Sequence, residues 1–470
     1  MYTSYIGRRF LAAYRQKKGL PASYSARQFF DEVQFPLFFD GPRKAMSIVN
    51  SSFEQKVGAA NELAQTMTIS QYQLHRFHEG IKAGKVSGAS MVGYAAEDVQ
   101  KGTSGQVSNL PIAIDAEEQY ASWIGQALAV GTNGGILILL DEEQVWWALF
   151  EGWPIYRRYL TETPGLKARQ LGTWNGHWLG HVFGSRYAAG QPERGFSFKT
   201  KKVLGALAIP TINWLEVVLA LARRFPQRIL TVNAYALSQM NTTLGFVNLD
   251  LPSINRLAEH NQELSPDGRP SHFELLYQTH YTFKNACKLG QIGLRAVEPA
   301  KLRRFMPLGS RTEVKAHSEG KPYRFTPDPG PPKKRESAAE YLERQEKVRT
   351  RQQEEFFHFK IFKIWLIAML NNRKELNQLA EQLAQTLLAF ERQGVESKRG
   401  KSTDTRLVEE LLGAKSLRLF IDQLTKLLGK HHAGAPVFKS IKDTTLLLPV
   451  DLFPLFLTLA RFEYQYQKSL

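Results

Sequence analysis

The sequence predicts an α+β protein, with a mixed α/β N-terminal domain over residues 1–297 and a C-terminal α-helical bundle over residues 337–470. Three observations support this prediction. A glycine-containing turn leads into the apolar run Ile136–Leu140, which is typical of a buried strand. Residues 298–336 combine many prolines with many lysines and arginines, a composition typical of a linker. Leucines then recur at spacings of three and four over residues 376–390, as on one face of an amphipathic helix.

The composition is that of a globular protein with a large excess of positive charge. Hydrophobic residues make up 43% of the chain and charged residues 22%, which excludes global disorder. Lysine and arginine outnumber the acids by 61 to 44, for a net charge of +17. Such an excess attracts polyanions, with nucleic acid as the first candidate and an acidic membrane as the second.

A single cysteine, Cys287, excludes an internal disulfide framework and any multi-cysteine metal site. No apolar stretch reaches the roughly 20 uninterrupted residues of a membrane span. We therefore predict a cytoplasmic protein without a membrane partner.

The first 30 residues predict two helices. An apolar stripe from Ile6 to Tyr14 ends at Gly19, a normal helix stop. Ser25 and Gln28 then form a capping box. The segment contains basic residues and no acid, as transit peptides do, but we favour a folded basic helix.

A very aromatic run follows, and its density predicts that it is buried in the core or at an interface, of which the core is favoured. Its aromatic residues are Phe29, Phe30, Phe35, Phe38 and Phe39. Residues 142–159 read as a helix with three tryptophans and the pair Arg157 and Arg158, kinked or broken at Pro154. Aromatic side chains beside arginines suit nucleic acid, yet core tryptophans beside solvated arginines give the same pattern.

Further helices are predicted along the rest of the chain. One covers residues 213–224. A capping box at Ser337 and Glu340 opens a long helix after the linker. Others follow near residues 407–412, 417–428 and 452–466, joined by short connections that favour a bundle.

Candidate nucleic-acid ligands are basic residues and amide or hydroxyl side chains in loops. The segment at residues 101–106 (KGTSGQ) has glycines whose bare amides could approach phosphate, although it lacks the spacing of a Walker motif. Amide side chains can read base edges. The candidates are Lys101, Ser104, Gln106, Asn109, Asn133, Arg157, Arg158, Lys199, Lys201, Lys202, Arg303, Arg304, Lys333, Lys334, Arg335, Lys398, Arg399 and Lys401.

Catalytic and metal-binding patterns are weak. His177 and His181 are four residues apart, as on one face of a metal-binding helix, but no zincin glutamate lies between them and nearby glycines weaken the helix. A nuclease site could be assembled from Asp267, Glu313 and Lys315, although the last two lie in a polar stretch. Cys287 has no nearby histidine to activate it. We predict no catalytic residue, no metal and no cofactor.

Five blocks resemble the large subunit of type I CRISPR effector complexes (Cascade), of a subtype I-B-like system. They cover roughly the first third of the chain. They are residues 2–10 (YTSYIGRRF), 29–40 (FFDEVQFPLFFD), 103–109 (TSGQVSN), 120–123 (YASW) and 149–153 (LFEGW). One departure is that some relatives carry paired Cys-x-x-Cys motifs, which a chain with one cysteine cannot form.

The resemblance implies a non-catalytic DNA-binding subunit of an RNA-guided surveillance complex. Such a subunit recognises the motif that flanks the target and stabilises the unwound DNA, while guide RNA pairing reads the target. Its partners would be double-stranded target DNA, the displaced single strand, guide RNA, the other Cascade subunits and, in some systems, a recruited nuclease or transposition protein. The alternatives are a metal-dependent nuclease or other nucleic-acid-processing enzyme, and a basic interaction protein that binds no nucleic acid.

Overall fold

The computed structural model describes most of the chain, and it divides into two compact units. The first consists of residues 1–255 and 281–296, and the second of residues 256–280 and 297–470. The described residues are 1–48, 50–56, 66–84, 86–91, 93–94, 113–184, 186–236, 243–264, 282–298, 330–393, 403–450 and 452–469.

The first unit combines helices with a small mixed sheet, as predicted for an α+β protein. Its helices are α1 (Tyr2–Lys18), α2 (Ala26–Phe29), a π-helix (Phe30–Phe39), α3 (Ile69–Lys82), α4 (Ala116–Ala127), α5 (Glu143–Glu162), α6 (Leu171–Val182), α7 (Trp214–Arg224), the start of α8 (Leu251–Leu264) and α9 (Phe283–Cys287). Residues 256–264 of α8 belong to the second unit. Its strands are β1 (Val130–Thr132), β2 (Ile136–Leu140), β3 (Lys201–Val203), β4 (Ala206–Ala208), β5 (Ile229–Ala236), β6 (Thr243–Asp250) and β7 (Gln291–Ile292).

Five strands form the main sheet in the order β1-β2-β5-β6-β7. Only the β6–β7 pair is parallel, and the other pairs are antiparallel, with Leu139 opposite Asn233 and Val232 opposite Val247. Every residue of β2 is buried, as expected for a short, uniformly apolar run in the core. This confirms the predicted strand at residues 136–140. A separate hairpin pairs β3 with β4.

The predicted N-terminal helices are confirmed. Helix α1 ends at Gly19, which adopts φ 64° and donates to the carbonyl groups of Arg15 and Gln16. The capping box of Ser25 and Gln28 is formed. Ile6 and Phe10 are fully buried.

The aromatic run lies in the core of the first unit, as favoured, but as a π-helix. Phe30, Phe38 and Phe39 are completely buried, and the ring of Phe39 stacks on that of Phe53 at 4.2 Å. The buried positions fall at spacings of four and five, which match the wider turn of a helix with i→i+5 hydrogen bonds.

Helix α5 continues through Pro154 to Glu162, so the predicted break is wrong, whereas a kink at Pro154 stays a prediction. Trp146 and Trp153 are buried, at 2% and 0% exposure. The core interpretation therefore holds for these two tryptophans. Helix α6 forms despite its glycines. A Cβ on Gly176 would lie 2.6 Å from the Gly131 carbonyl oxygen in β1, so glycine at this position allows the helix to pack closely on the strand.

The second unit is helical. It contains α10 (Ala338–Met369), α11 (Lys374–Gln393), α12 (Thr403–Leu412), α13 (Leu417–Leu428), a 3₁₀ turn (His432–Gly434), α14 (Ala435–Leu446) and α15 (Phe453–Ser469). The capping box of Ser337 and Glu340 is formed. Leu376, Leu383 and Leu387 on α11 are fully buried, which confirms the predicted stripe. The sequence patterns did not predict α14.

A partly buried ion-pair cluster links three helices of this unit. The Lys363 ammonium on α10 lies 2.5 Å from Glu381 on α11 and 2.8 Å from Glu463 on α15. The Glu463 side chain is 3% exposed. This pairing explains how a lysine interrupts the apolar run of α10. Burial raises the pKa of Glu463, which the ammonium opposes.

Residues 330–336 lead into α10 as an irregular segment, of which residues 330–335 are exposed. Residues 299–329 of the predicted linker lie outside the described residues. The proposed domain limits at 297/298 and 336/337 stay predictions. Among the helices that the structure describes, none has the length and apolar composition needed to cross a bilayer.

Candidate nucleic-acid interface

A basic β-hairpin, formed by β3 and β4 and preceded by Lys199, brings three sequence-predicted ligands together. Lys201 and Lys202 on β3 pair with Ala208 and Leu207 on β4. Lys199, Lys201 and Lys202 are all exposed. Because successive side chains of a strand point to opposite faces, Lys201 and Lys202 present charge on both sides of the hairpin. We call this element the basic hairpin.

The turn of the basic hairpin has an unusual sequence. Leu204 has φ 49° and Gly205 has φ 82°, as in the two-residue turns that match the twist of paired strands. Glycine or asparagine takes this conformation at low cost, whereas a bulky residue there is an outlier. The Leu204 side chain is also fully exposed, at 103%. An apolar tip therefore stands next to the lysines.

Backbone pairing anchors the basic hairpin to the first unit. The Lys167 N–H donates to the Leu207 carbonyl at 2.7 Å, and the Leu207 N–H donates to Gly165 at 2.8 Å. The amide of Gln170 donates to the Ile209 carbonyl at 2.8 Å and accepts from the Ile209 N–H at 3.0 Å. The base of the hairpin is thus held in place while its turn is exposed.

The charges of the basic hairpin are not neutralised locally. Residues 199–208 contain no acid. Within the described parts of the chain, none of Lys199, Lys201 and Lys202 forms an ion pair with a carboxylate, whereas the nearby Arg169 pairs with Glu54 at 2.8 Å. Free ammonium groups of this kind can bind phosphate oxygens and release counterions.

Three other predicted ligands have partners within the protein. Asn133 is exposed, but its side-chain oxygen accepts from the Trp214 N–H at the start of α7, at 3.2 Å. Arg157 donates to the carbonyl groups of Asp40 and Arg43, at 2.6 and 2.7 Å. These contacts fix the loop after the π-helix and the start of α7.

Arg158 pairs with Glu193 and lies 3.9 Å from Glu162. Its charge is thus matched by acids of the same unit. Binding of nucleic acid by Asn133, Arg157 and Arg158 stays a prediction, and we leave them out of the proposed interface.

In the second unit, Lys333, Lys334 and Arg335 are exposed just before α10. The Lys333 N–H donates to Glu336 at 3.0 Å. Hydrogen bonds from Arg344 and from the Lys333 backbone lower the pKa of Glu336 to about 2. An acid that stays ionised thus lies next to these basic residues, so the segment is less cationic than the basic hairpin.

The remaining predicted ligands lie outside the described residues. They are Lys101, Ser104, Gln106, Asn109, Arg303, Arg304, Lys398, Arg399 and Lys401. The nuclease candidates Asp267, Glu313 and Lys315 lie there too.

The two histidines of α6 form hydrogen bonds to backbone carbonyl groups. His177 Nε2 donates to Pro210 at 2.7 Å, and His181 Nε2 donates to Pro192 at 2.8 Å. Burial lowers the pKa of His177, so its ring stays neutral. Within the described ranges, no group of three or more histidine, cysteine, aspartate or glutamate side chains is placed to hold a metal ion. Both contacts are structural, and that of His177 lies just after β4 of the basic hairpin.

Cys287 and His78 also have surroundings that favour structural roles. Burial raises the pKa of the Cys287 thiol to about 11, so little thiolate forms near neutral pH. His78 lies 3.1 Å from Asp31 and 2.6 Å from the Tyr120 hydroxyl.

Sequence reasoning found the lysines of the basic hairpin but missed Leu204. The available signal was the Leu-Gly pair between two short runs, which is the spacing of a hairpin turn. In comparisons with known proteins, no family model, curated protein or solved structure matches this chain.

Proposed function

We propose that this chain is a non-catalytic DNA-binding large subunit of an RNA-guided CRISPR surveillance complex of the Cascade type, acting in the cytoplasm. It would recognise the motif that flanks the target and stabilise the unwound DNA. Guide RNA, the other subunits, duplex DNA and the displaced strand would be its partners. The support is the five resembling blocks, the net charge of +17 and the basic hairpin.

The observation that carries this proposal is the set of unpaired lysines on the basic hairpin. Lys199, Lys201 and Lys202 are exposed on an element that is anchored at its base and contains no acid. Phosphate contacts position a protein on DNA without reading its sequence. The hairpin has the chemistry to position the first unit on a duplex.

Leu204 adds a second feature that suits DNA. Apolar side chains that insert between base steps unstack and kink a duplex. A fully exposed leucine in a costly conformation serves no packing purpose in this unit, and sterically unfavourable backbone positions cluster at functional sites. We propose that Leu204 contacts a base step while the lysines hold the flanking phosphates.

The assembly is tested by purifying the tagged full chain from its own cells and sequencing the RNA that comes with it. We expect a single size class of small structured RNA whose members share one constant end and differ elsewhere, together with several other proteins in fixed proportion. A chain that purifies free of RNA would contradict the proposed assembly.

Duplex binding is tested with the triple substitution K199A/K201A/K202A. Removing one lysine from a phosphate makes the slope of log affinity against log salt shallower by about 1, so the slope of the triple variant should be shallower by about 3. Affinity for a short duplex at about 0.1 M salt should fall roughly 10- to 100-fold. Fluorescence anisotropy over a salt series measures both quantities.

A matched control removes the same number of charges elsewhere in the first unit. Lys56, Lys284 and Lys288 are exposed, and K56A/K284A/K288A should change the slope by less than about 1. Equal effects of the two triple variants would show that net charge, not the basic hairpin, binds DNA. Cleavage of the duplex with Mg²⁺ that is abolished in Asp267→Ala or Glu313→Ala would favour the nuclease alternative.

A further inference from the structure

An exposed aromatic surface lies where α1 meets β6 of the main sheet. Phe246 on β6 is 64% exposed. Its ring meets that of Tyr2 edge-on at 5.1 Å, and Tyr2 stacks on Tyr5 at 5.6 Å. Tyr5 is 39% exposed. Three rings thus run from the sheet onto the first turn of α1, and we call them the aromatic row.

Polar side chains surround Phe246 on the same face of the sheet. Asn233 lies opposite Phe246, and Thr231 lies opposite Asn248, so alternation along the strands places all four on one face. The Thr231 hydroxyl donates to the Asn248 side-chain oxygen at 2.8 Å. The Asn248 amide nitrogen therefore remains available as a donor at the surface.

Positive charge lies along the helix that carries the aromatic row. Helix α1 contains five basic residues and no acid. Arg9 pairs with Asp141 at 2.6 Å and lies over the Tyr5 ring at 5.8 Å. Arg8, exposed and three residues from Tyr5, has no carboxylate partner in the described ranges. Residues three apart lie on neighbouring turns of one helical face.

We propose that the aromatic row is a binding site for single-stranded nucleic acid, in which a base stacks on Phe246 and the phosphates follow the basic face of α1. Unpaired bases stack on exposed aromatic rings, and the ring faces of all four bases suit this contact. A duplex keeps its bases stacked on each other and offers no such face. The amides of Asn233 and Asn248 are placed to hydrogen bond to the edge of a base.

The chemistry of the surface favours nucleic acid over a protein partner. Docking surfaces for proteins are contiguous apolar patches, whereas the face that carries Phe246 also presents the amides of Asn233 and Asn248 and the Thr231 hydroxyl. The apolar Ile229, at 59% exposure, lies at the far end of β5 from Asn233. The charge of Arg8 on α1 also complements a phosphate backbone. This inference rests on the proposed function for the class of ligand, which is nucleic acid. It assigns single-stranded nucleic acid to the aromatic row, whereas the basic hairpin is proposed to bind duplex DNA.

The test uses the full chain and a fluorescent oligodeoxythymidine of about 20 nucleotides. Phe246→Ala should raise its dissociation constant about 5- to 150-fold, since stacking contributes ~1–3 kcal/mol per base. The salt slope should stay unchanged because the substitution removes no charge. Phe246→Trp should bind within about twofold of the original chain, since it keeps a stacking face. Arg8→Ala should make the salt slope shallower by about 0.7.

The matched control is Ile229→Ala, which removes an exposed apolar side chain from the same face and should change oligonucleotide affinity less than about twofold. Thermal melting curves confirm that each variant is folded. Equal reductions of affinity in the two variants, or wild-type affinity in Phe246→Ala, would overturn the inference and favour a protein partner.

The two proposals fail in different ways. The K199A/K201A/K202A variant should lose duplex affinity and keep most of its oligonucleotide affinity. Phe246→Ala should lose oligonucleotide affinity and keep most of its duplex affinity. A chain that binds duplex but no oligonucleotide contradicts the single-strand site alone. A chain that binds neither contradicts the proposed function itself.

Discussion

Lys363→Met should destabilise the second unit by about 3 kcal/mol. The substitution keeps the apolar part of the side chain but removes the ammonium that pairs with both Glu381 and Glu463. Removing one partner of a buried pair leaves an uncompensated charge and costs ~3–5 kcal/mol. We expect the lower end because the Glu381 side chain is 38% exposed. Urea denaturation of the full chain, followed by far-UV circular dichroism, measures the shift in midpoint.

The same helix supplies the matched control for this substitution. Lys347 pairs with Glu343 at 2.6 Å, but both side chains are well exposed, so Lys347→Met should change stability by less than about 0.5 kcal/mol. The double variant K363M/E463M should be more stable than Lys363→Met, because it removes the second buried charge. Equal effects of Lys363→Met and Lys347→Met would contradict the proposed importance of burial.

The destabilisation in Lys363→Met should also depend on pH. Burial raises the pKa of Glu463, and without the ammonium nothing at Lys363 opposes this rise. A carboxyl whose folded pKa is raised contributes stability below its unfolded pKa and loses it as pH rises through the folded value. The deficit should therefore shrink as the pH falls from 7 towards about 4.

Gly7→Ala should destabilise the first unit by about 3 kcal/mol or more. Helices α1 and α4 pack so closely that a Cβ on Gly7 would lie 1.8 Å from the Ala121 carbonyl oxygen. A Cβ on Gly125 would lie 1.9 Å from the Thr3 carbonyl oxygen. Since backbone atoms cannot rotate away as a side chain can, the two helices must separate, at a cost at or above the usual range for overpacking. Tryptophan fluorescence during urea denaturation measures the change.

A glycine in open space is the control. Gly80 lies within α3, and a Cβ there would meet nothing within 4 Å, so Gly80→Ala should stabilise the chain by about 0.5–1 kcal/mol. Gly125→Ala should destabilise it as much as Gly7→Ala. If Gly7→Ala behaves like Gly80→Ala, the close approach of α1 and α4 is wrong.

Local signals in the sequence were sufficient for much of the helical structure. The capping box at Ser337 and the stripe from Leu376 to Phe390 depend only on residues three or four apart. The π-helix could not be predicted in the same way, because its width results from packing the rings of Phe30 and Phe39 against Phe53 and other distant residues.

The candidate site was harder to predict, because contacts within the folded protein decide which charged side chains remain available to bind a ligand. Arg157 and Lys201 look alike in sequence, but Arg157 reaches the Asp40 carbonyl 117 positions away. Lys201 lies on a hairpin without acids. Phe246 escaped notice because a single exposed aromatic residue in a short strand has no distinguishing pattern until its neighbours are known.

The uneven distribution of tryptophan gives the two units separate optical signatures. Seven of the eight tryptophans lie in the first unit and only Trp365 in the second. Indole emission therefore follows mainly the melting of the first unit, while peptide ellipticity also registers the helices that the structure describes in the second. The unit that a substitution destabilises can therefore be identified by comparing the unfolding curves from tryptophan fluorescence and from circular dichroism.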